Sequence, residues 1–364
     1  MNTAIVTGAN GFIGSHLVHR LLARDWRVHA IGRGKAGTSW GNRVAPALME
    51  VSDSSPNGDS LLCHEADLNA PAPLLFRQLR VAPDTGILFH VAGDTRFTPA
   101  DPKRQQQVNV DAALNVIRGF RRHVGRVVHV STAYVAGDRT GLIREDDLDC
   151  GQGFHNSYER SKYEAEKALT ALCRELSVPL VIVRPAIIIN DRRTGRASTF
   201  THLNALVEVI SRLQDYYGIP DGQVVSRKIR LLADPRARPN LAAVDSIIPP
   251  LLEIAQAPDS PGRTFHLCHP RPQSNAEIVD LICDAFQVKG KLELEFVNRV
   301  EKPVSRTEEM IVRSLKVYAP YLNSRSEFDL ANARAAVPDY DSHFSTLDVP
   351  FIRKVIEFQR AHRK

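Results

Sequence analysis

The chain has 364 residues, 43% hydrophobic and 24% charged, with a formal net charge of +6. This is the composition of a soluble globular protein long enough for one large domain or two ordinary ones. The modest positive excess suits an anionic ligand such as a phosphorylated cofactor; with no zinc-finger spacing and no aromatic-interleaved basic stripe, it does not point to nucleic acid. The five cysteines (Cys63, Cys150, Cys173, Cys268, Cys283) are scattered and no pair has metal-ligand spacing. No metal is therefore expected, and the thiols read as reduced and mostly structural, in a cytoplasmic setting.

The chain enters a strand pattern at once with Thr3-Ala4-Ile5-Val6, so no signal peptide is expected. Residues 7–14 read Thr-Gly-Ala-Asn-Gly-Phe-Ile-Gly and lead into an amphipathic helix from Ser15 to Leu22. Gly8, Gly11 and Gly14 have the spacing of a phosphate-binding turn. Glycines allow the turn and the close approach of backbone to a pyrophosphate, and the helix N-terminus supplies amide donors and a positive dipole end. Asn10, Phe12 and Ile13 complete that turn as cofactor-binding candidates. The next strand, Arg27 to Ile31, runs into Gly32-Arg33-Gly34-Lys35. A site for NAD often has an acid here; Arg33 instead suits a 2′-phosphate, and so NADP(H). Residues 36–60, rich in Gly, Ser and Pro, read as a surface loop with little regular structure.

Leu61 to Ala66 is a strand ending in Asp67-Leu68, and Ile87 to Phe89 another, followed by His90-Val91-Ala92-Gly93-Asp94. Small residues at a strand end let a ligand lie across the sheet edge. Val91, Ala92 and Gly93, with Asp67 and Leu68 at the end of the preceding strand, are cofactor-binding candidates. Helical periodicity covers 105–120 and carries Asn109, and the strand 126–130 ends in Ser131-Thr132, two hydroxyls suited to a substrate carbonyl.

Asn156-Ser157-Tyr158-Glu159-Arg160-Ser161-Lys162 follows. On a helix, Tyr158 and Lys162 stand one above the other. The ammonium is expected to stabilise the phenolate and to pull the phenol pKa down from about 10, so that Tyr158 can protonate a nascent oxyanion near neutral pH. Leu180 to Pro185 is a further strand. The apolar run from Val178 to Ile189 is interrupted by Arg184 and Pro185 and falls short of the roughly 20 residues a membrane span needs.

Strand and helix patterns alternate from residue 3 to about 188, which predicts an α/β fold with a Rossmann-type doubly wound parallel sheet. After 190 the pattern changes. Leu203, Leu206, Val207, Ile210 and Leu213 mark a helix over 202–213, Asp245 reads as the cap of a helix reaching about Ala255, and 264–268 and 275–286 read as strand and helix. The expected division is an NADP-binding domain over 1–190 and a smaller mixed α/β substrate-binding region over 191–364, some segments of which return to the sheet.

With Gly8, Gly11, Gly14, Thr132, Tyr158 and Lys162 in this order, the chain resembles the extended short-chain dehydrogenase/reductase superfamily over roughly residues 3–270. Ser131 to Gly137, the run from Asn156 to Lys167, and Arg184-Pro185 followed by Thr194-Gly195 look most like its thioester reductase and fatty acyl-CoA reductase group. The resemblance implies an NADPH-dependent oxidoreductase that releases an acyl thioester as an aldehyde or alcohol. It implies Thr132, Tyr158 and Lys162 as catalytic residues, Lys162 also on the nicotinamide ribose, and Asn109 and Pro185 beside the cofactor. The chain carries no adenylation or carrier domain beside these motifs, so a thioester is expected to arrive in trans, on coenzyme A or on a separate acyl or peptidyl carrier protein. Two basic groups, Arg192, Arg193 and Arg196, and Arg227, Lys228 and Arg230, are expected to supply at least one rim of the pocket mouth. A homodimer stays open. Rival readings are a relative acting on a ketone (steroid- or flavonol-like) or a nucleotide sugar, and a non-catalytic NADP-binding regulatory protein.

Overall fold

The computed structural model describes residues 2–35, 37–51, 59–69, 86–98, 101–197, 202–217, 225–297, 300, 303 and 305–362. Among them the strands, in chain order, are β1 (Thr3–Thr7), β2 (Arg27–Gly32), β3 (Leu61–Glu65), β4 (Gly86–His90), β5 (Val124–Val130), β6 (Gly141–Ile143), β7 (Leu180–Pro185), β8 (Ile187–Ile189), β9 (Val225–Leu232), β10 (Leu241–Ala243), β11 (Thr264–Leu267), β12 (Leu292–Val297) and β13 (Ser326–Phe328). Seven of these form one parallel sheet in the order β11-β7-β5-β4-β1-β2-β3, while β8–β10, β9–β12 and β6–β13 pair separately. The order reverses between β1 and β4, so the connections leaving those strands diverge and open a crevice at their carboxyl ends.

The central strands are mostly apolar because helices cover both faces. Alternate residues sort by side. Ile5, Leu88, Val127 and Ile182 pack with Val116, Ile117 and Leu169. Val6, Phe89, Val128 and Val183 pack with Leu17, Leu21 and Leu251. The expected Rossmann-type sheet is thus present. Segments after 190 return to this sheet. β11 pairs with β7 from Thr264↔Ile182 to Leu267↔Pro185. Residues of the helix Val244–Gln256, with Leu330, Tyr340 and Phe344, join the side of the sheet packed with Leu17 and Leu21. A second core gathers Leu206, Ile210, Ile282, Ile311 and Ile352 from four helices.

Two sequence expectations are corrected. Residues 36–60 are not mainly loop, because Trp40–Met49 is a helix; residues 52–58 lie outside the described residues. Trp40, Val44 and Leu48, spaced four apart, form its buried stripe, and Ser39 caps it by accepting from Asn42 N. Pro46 inside the helix conceals the pattern. Asp245 is not a cap: it lies in the first helical turn and accepts from Arg192 N at 3.0 Å.

Parallel strands also bury histidines. His90 on β4 and His129 on β5 stack at 5.5 Å, and His266 lies on β11. Burial pushes His90 and His266 down to about 3, and His129 well below the ordinary value. Below pH about 6.5 the unfolded chain binds protons that the folded chain refuses. Their stabilising contribution is therefore complete above pH about 6.5 and is lost as the pH falls towards the folded values. Denaturant titrations should show stability dropping by up to ~1.4 kcal/mol per pH unit per histidine between about pH 6 and pH 4. His90→Asn should flatten that slope; a level profile in the unmutated protein contradicts the assignment.

Candidate active site

The crevice between β1 and β4 opens into a cavity of about 880 Å³. One end is the glycine turn. Gly8 has φ +72° and a Cβ there would come within 2.7 Å of Ala92 N, while a Cβ on Gly14 would lie 2.0 Å from Gly8 O. Neither position accepts a side chain, and the turn stays tight enough for the helix Phe12–Leu22 to aim its first amides at the cavity. Asn10, Gly11, Phe12 and Ile13 line this end with the two glycines. Arg33 lines it from the end of β2, Asp67 and Leu68 follow β3, Val91, Ala92 and Gly93 follow β4, and Pro185 ends β7. A backbone cradle of this shape, without room for a Cβ at its turn, fits a dinucleotide pyrophosphate.

The far wall carries the expected chemistry. Asn156 Oδ1 accepts from Glu159 N at 3.0 Å and so starts the helix Ser157–Glu175. That helix delivers Tyr158 to the cavity and Lys162 just behind it. Thr132, at the end of β5, hydrogen-bonds the Tyr158 phenol and lines the same wall. The neighbouring Ser131 Oγ is buried there with no hydrogen-bond partner among the described residues. Lys162 and Asn109 do not line the cavity. Lys162 Nζ donates to Val130 O at 2.6 Å. Asn109, buried in a wide helical turn (Gln107–Asp111), accepts from Asp94 N at 2.7 Å and donates to Ser161 Oγ at 2.8 Å. It fixes the loop after β4 to the Tyr158 helix. A Cβ on Gly93 would meet Asn109 Oδ1 at 3.2 Å and Lys162 Nζ at 3.9 Å, so both stand directly behind the wall.

One electrostatic expectation is reversed. Burial pushes the Tyr158 phenol up to about 12, against the opposing bond from Thr132. Burial also brings the Lys162 ammonium down to about 8. The ammonium is turned to a carbonyl, not to the phenol, so desolvation outweighs attraction.

Among the described residues, neither basic cluster lines this cavity. Arg192 pairs with Asp348 at 2.8 Å and lies over the Phe351 ring. Arg193 and Arg196 donate to Val51 O and Glu50 O, tying down the end of the helix Trp40–Met49. Arg230 pairs with Glu308 at 2.6 Å and Lys228 approaches Glu293 at 3.9 Å; the Arg227 side chain lies outside the described residues.

Other lining residues escaped the sequence reading. Trp40 and Arg43 flank Arg33, and Arg43 donates to Arg33 O at 2.6 Å. The spacing of Trp40, Val44 and Leu48 was the signal that would have found them. At the opposite end stand Phe97, Tyr134, His202, Tyr318 and Tyr321. They converge from distant stretches of chain, and no local pattern marks them.

A family model described as male sterility protein, of an NAD-binding family, matches residues 6–225. The chain is 26% identical over 290 residues to a nonribosomal peptide synthetase of Aspergillus flavus, covering 75% of this chain and 26% of that one. It therefore spans about a quarter of that relative's length. It is 24% identical to a UDP-glucose 4-epimerase of Vibrio cholerae over 76% of this chain and 73% of that one. Among solved structures, the terminal R domain from the myxalamid PKS-NRPS biosynthetic pathway superposes with a TM-score of 0.76 at 20% identity, over 100% of this chain and 92% of that one. The family match over most of the sheet, together with the glycine turn and the Tyr158–Lys162 helix, places the chain among the oxidoreductases that bind a nicotinamide dinucleotide: it belongs to the male sterility protein family of the extended short-chain dehydrogenases/reductases.

Proposed function

We propose that the protein is an NADPH-dependent reductase of an acyl thioester, carried by coenzyme A or by a separate carrier protein, which it converts to an aldehyde or an alcohol. The observation that carries this reading is one continuous cavity running from the glycine turn to Thr132 and Tyr158. Similarity to a nonribosomal peptide synthetase and to a terminal R domain supports the thioester. The dinucleotide, when bound, supplies hydride to the carbonyl carbon. Thr132 and Tyr158 hydrogen-bond the carbonyl oxygen as it gains charge, and Tyr158 gives it a proton. Lys162, cationic behind the wall, compensates the phenolate left on Tyr158. Release of the hydroxyl proton and cleavage of the C–S bond then yield thiol and aldehyde. The test is product analysis with acyl-CoA, ketone and nucleotide-sugar substrates: loss of thioester with appearance of thiol and aldehyde or alcohol is expected, and turnover of only a ketone or a nucleotide sugar overturns the reading.

NADPH is proposed over NADH. Arg33 and Arg43 face the end of β2, and Glu65, a carboxylate beside that loop, is turned to Trp40 N at 3.2 Å. A charged hydrogen bond to the 2′-phosphate contributes about 1.5–3 kcal/mol, or about 10- to 100-fold in kcat/KM. Arg33→Asp should reverse the preference; equal efficiency with both cofactors in the unmutated protein counts against it.

A further inference from the structure

The cavity end beyond Tyr158 is built from rings. Phe97, from the loop after β4, lies 6.0 Å from the Tyr158 ring, 5.2 Å from Tyr321 and 6.1 Å from Tyr318. Tyr134, from the turn after Thr132, meets Tyr321 edge-on at 4.8 Å. The Tyr321 ring is held in place. Its hydroxyl donates to the buried Glu159 Oε1 at 2.6 Å and accepts from Asn156 Nδ2 at 2.8 Å. Glu159 and Asn156 belong to the start of the helix that carries Tyr158, so the ring wall and the phenol keep a fixed relation. At the same end His202 is 1% exposed and lines the cavity, 5.9 Å from the Tyr318 ring. Neither of its ring nitrogens has a hydrogen-bond partner among the described residues. Burial brings it down to about 4, so it is a neutral imidazole with one donor and one acceptor. A buried polar group without a partner is costly, and a ligand that satisfies it gains accordingly.

Resting on the thioester reading above, we infer that this end is the acyl subsite, and that it takes a planar aromatic acyl group whose ring carries a hydrogen-bonding substituent, such as a hydroxyl, directed at His202. Ring faces and edges at these separations reward a flat partner, whereas a polymethylene chain gains only burial and loses rotor freedom.

The experiment compares kcat/KM for the 4-hydroxycinnamoyl, cinnamoyl and hexanoyl thioesters of N-acetylcysteamine with NADPH. We expect cinnamoyl to exceed hexanoyl by about tenfold and 4-hydroxycinnamoyl to exceed cinnamoyl by about three- to tenfold. His202→Phe should abolish the hydroxyl step and keep the ring step; Phe97→Leu should shrink the ring step. A hexanoyl thioester used as well as the aryl ones, or a hydroxyl preference unchanged in His202→Phe, overturns the subsite while leaving thioester reduction standing. Calorimetric binding of 4-hydroxycinnamamide, an unreactive probe, to the protein with NADP+ separates the two claims. If no thioester is reduced but this amide binds more tightly than hexanamide, the subsite stands and the thioester reading fails. If it binds no better than hexanamide, the subsite fails too.

Discussion

Tyr158→Phe is expected to lower turnover by about two to four decades, with little change in dinucleotide affinity. The ring keeps its contact with Phe97 and its place on the helix Ser157–Glu175, so the cavity wall is preserved and only the proton and its bond to Thr132 are lost. Because burial holds the phenol at about 12, the tyrosine remains protonated throughout the neutral range. The phenol should therefore cause no loss of activity from pH 6 to 8, and the decline expected as the pH rises through about 8 follows Lys162. Steady-state kinetics with the Phe variant, and cofactor binding by fluorescence, check both parts. Near-normal turnover would assign Tyr158 to structure alone.

Glu166→Ala is expected to destabilise the fold by about 3–5 kcal/mol. Arg184 is 1% exposed. Its guanidinium makes a two-pronged pair with the fully buried Glu166, at 3.0 and 2.7 Å, and donates to Glu145 O and Asp147 O. Without Glu166 the guanidinium is left as a buried charge lacking its counterion. Arg184 precedes Pro185 in the cavity wall, so the variant should also weaken dinucleotide binding. Denaturant midpoints measure the first effect. The double replacement Glu166→Met with Arg184→Met should recover most of the loss, since removing both charges removes the desolvation cost. A single variant within about 1 kcal/mol of the unmutated protein contradicts a tightly coupled pair.

The parts of this molecule that were legible in sequence are those where the backbone dictates the residue. Gly8 and Gly14 could not be anything else at a turn this close, and Tyr158 and Lys162 stand at helical spacing behind a capping Asn156. Alternation of apolar strand and amphipathic helix reveals a doubly wound sheet because the burial pattern repeats along it. What stayed hidden depends on tertiary contact. The helix Trp40–Met49 was masked by Pro46, and with it Arg43. The ring wall joins Phe97 and Tyr134 to Tyr318 and Tyr321, separated by up to 224 residues in sequence. The sense of the Tyr158 shift turned on desolvation, which a spacing of four residues does not express. The arginines at 192, 193 and 196 looked like a docking rim from their charge alone; their partners Asp348, Glu50 and Val51 lie more than 140 residues away.

The most direct test of thioester reduction uses NADPH carrying deuterium as the transferable hydride, with an acyl-CoA or N-acetylcysteamine thioester as substrate. One equivalent of free thiol is expected for each acyl group consumed, with deuterium on the former carbonyl carbon of the aldehyde or alcohol product. Tyr158→Phe should suppress thiol release and label transfer together. A thioester that stays intact while a nucleotide sugar is epimerised without net cofactor consumption, or thiol release without label in the product, would contradict thioester reduction.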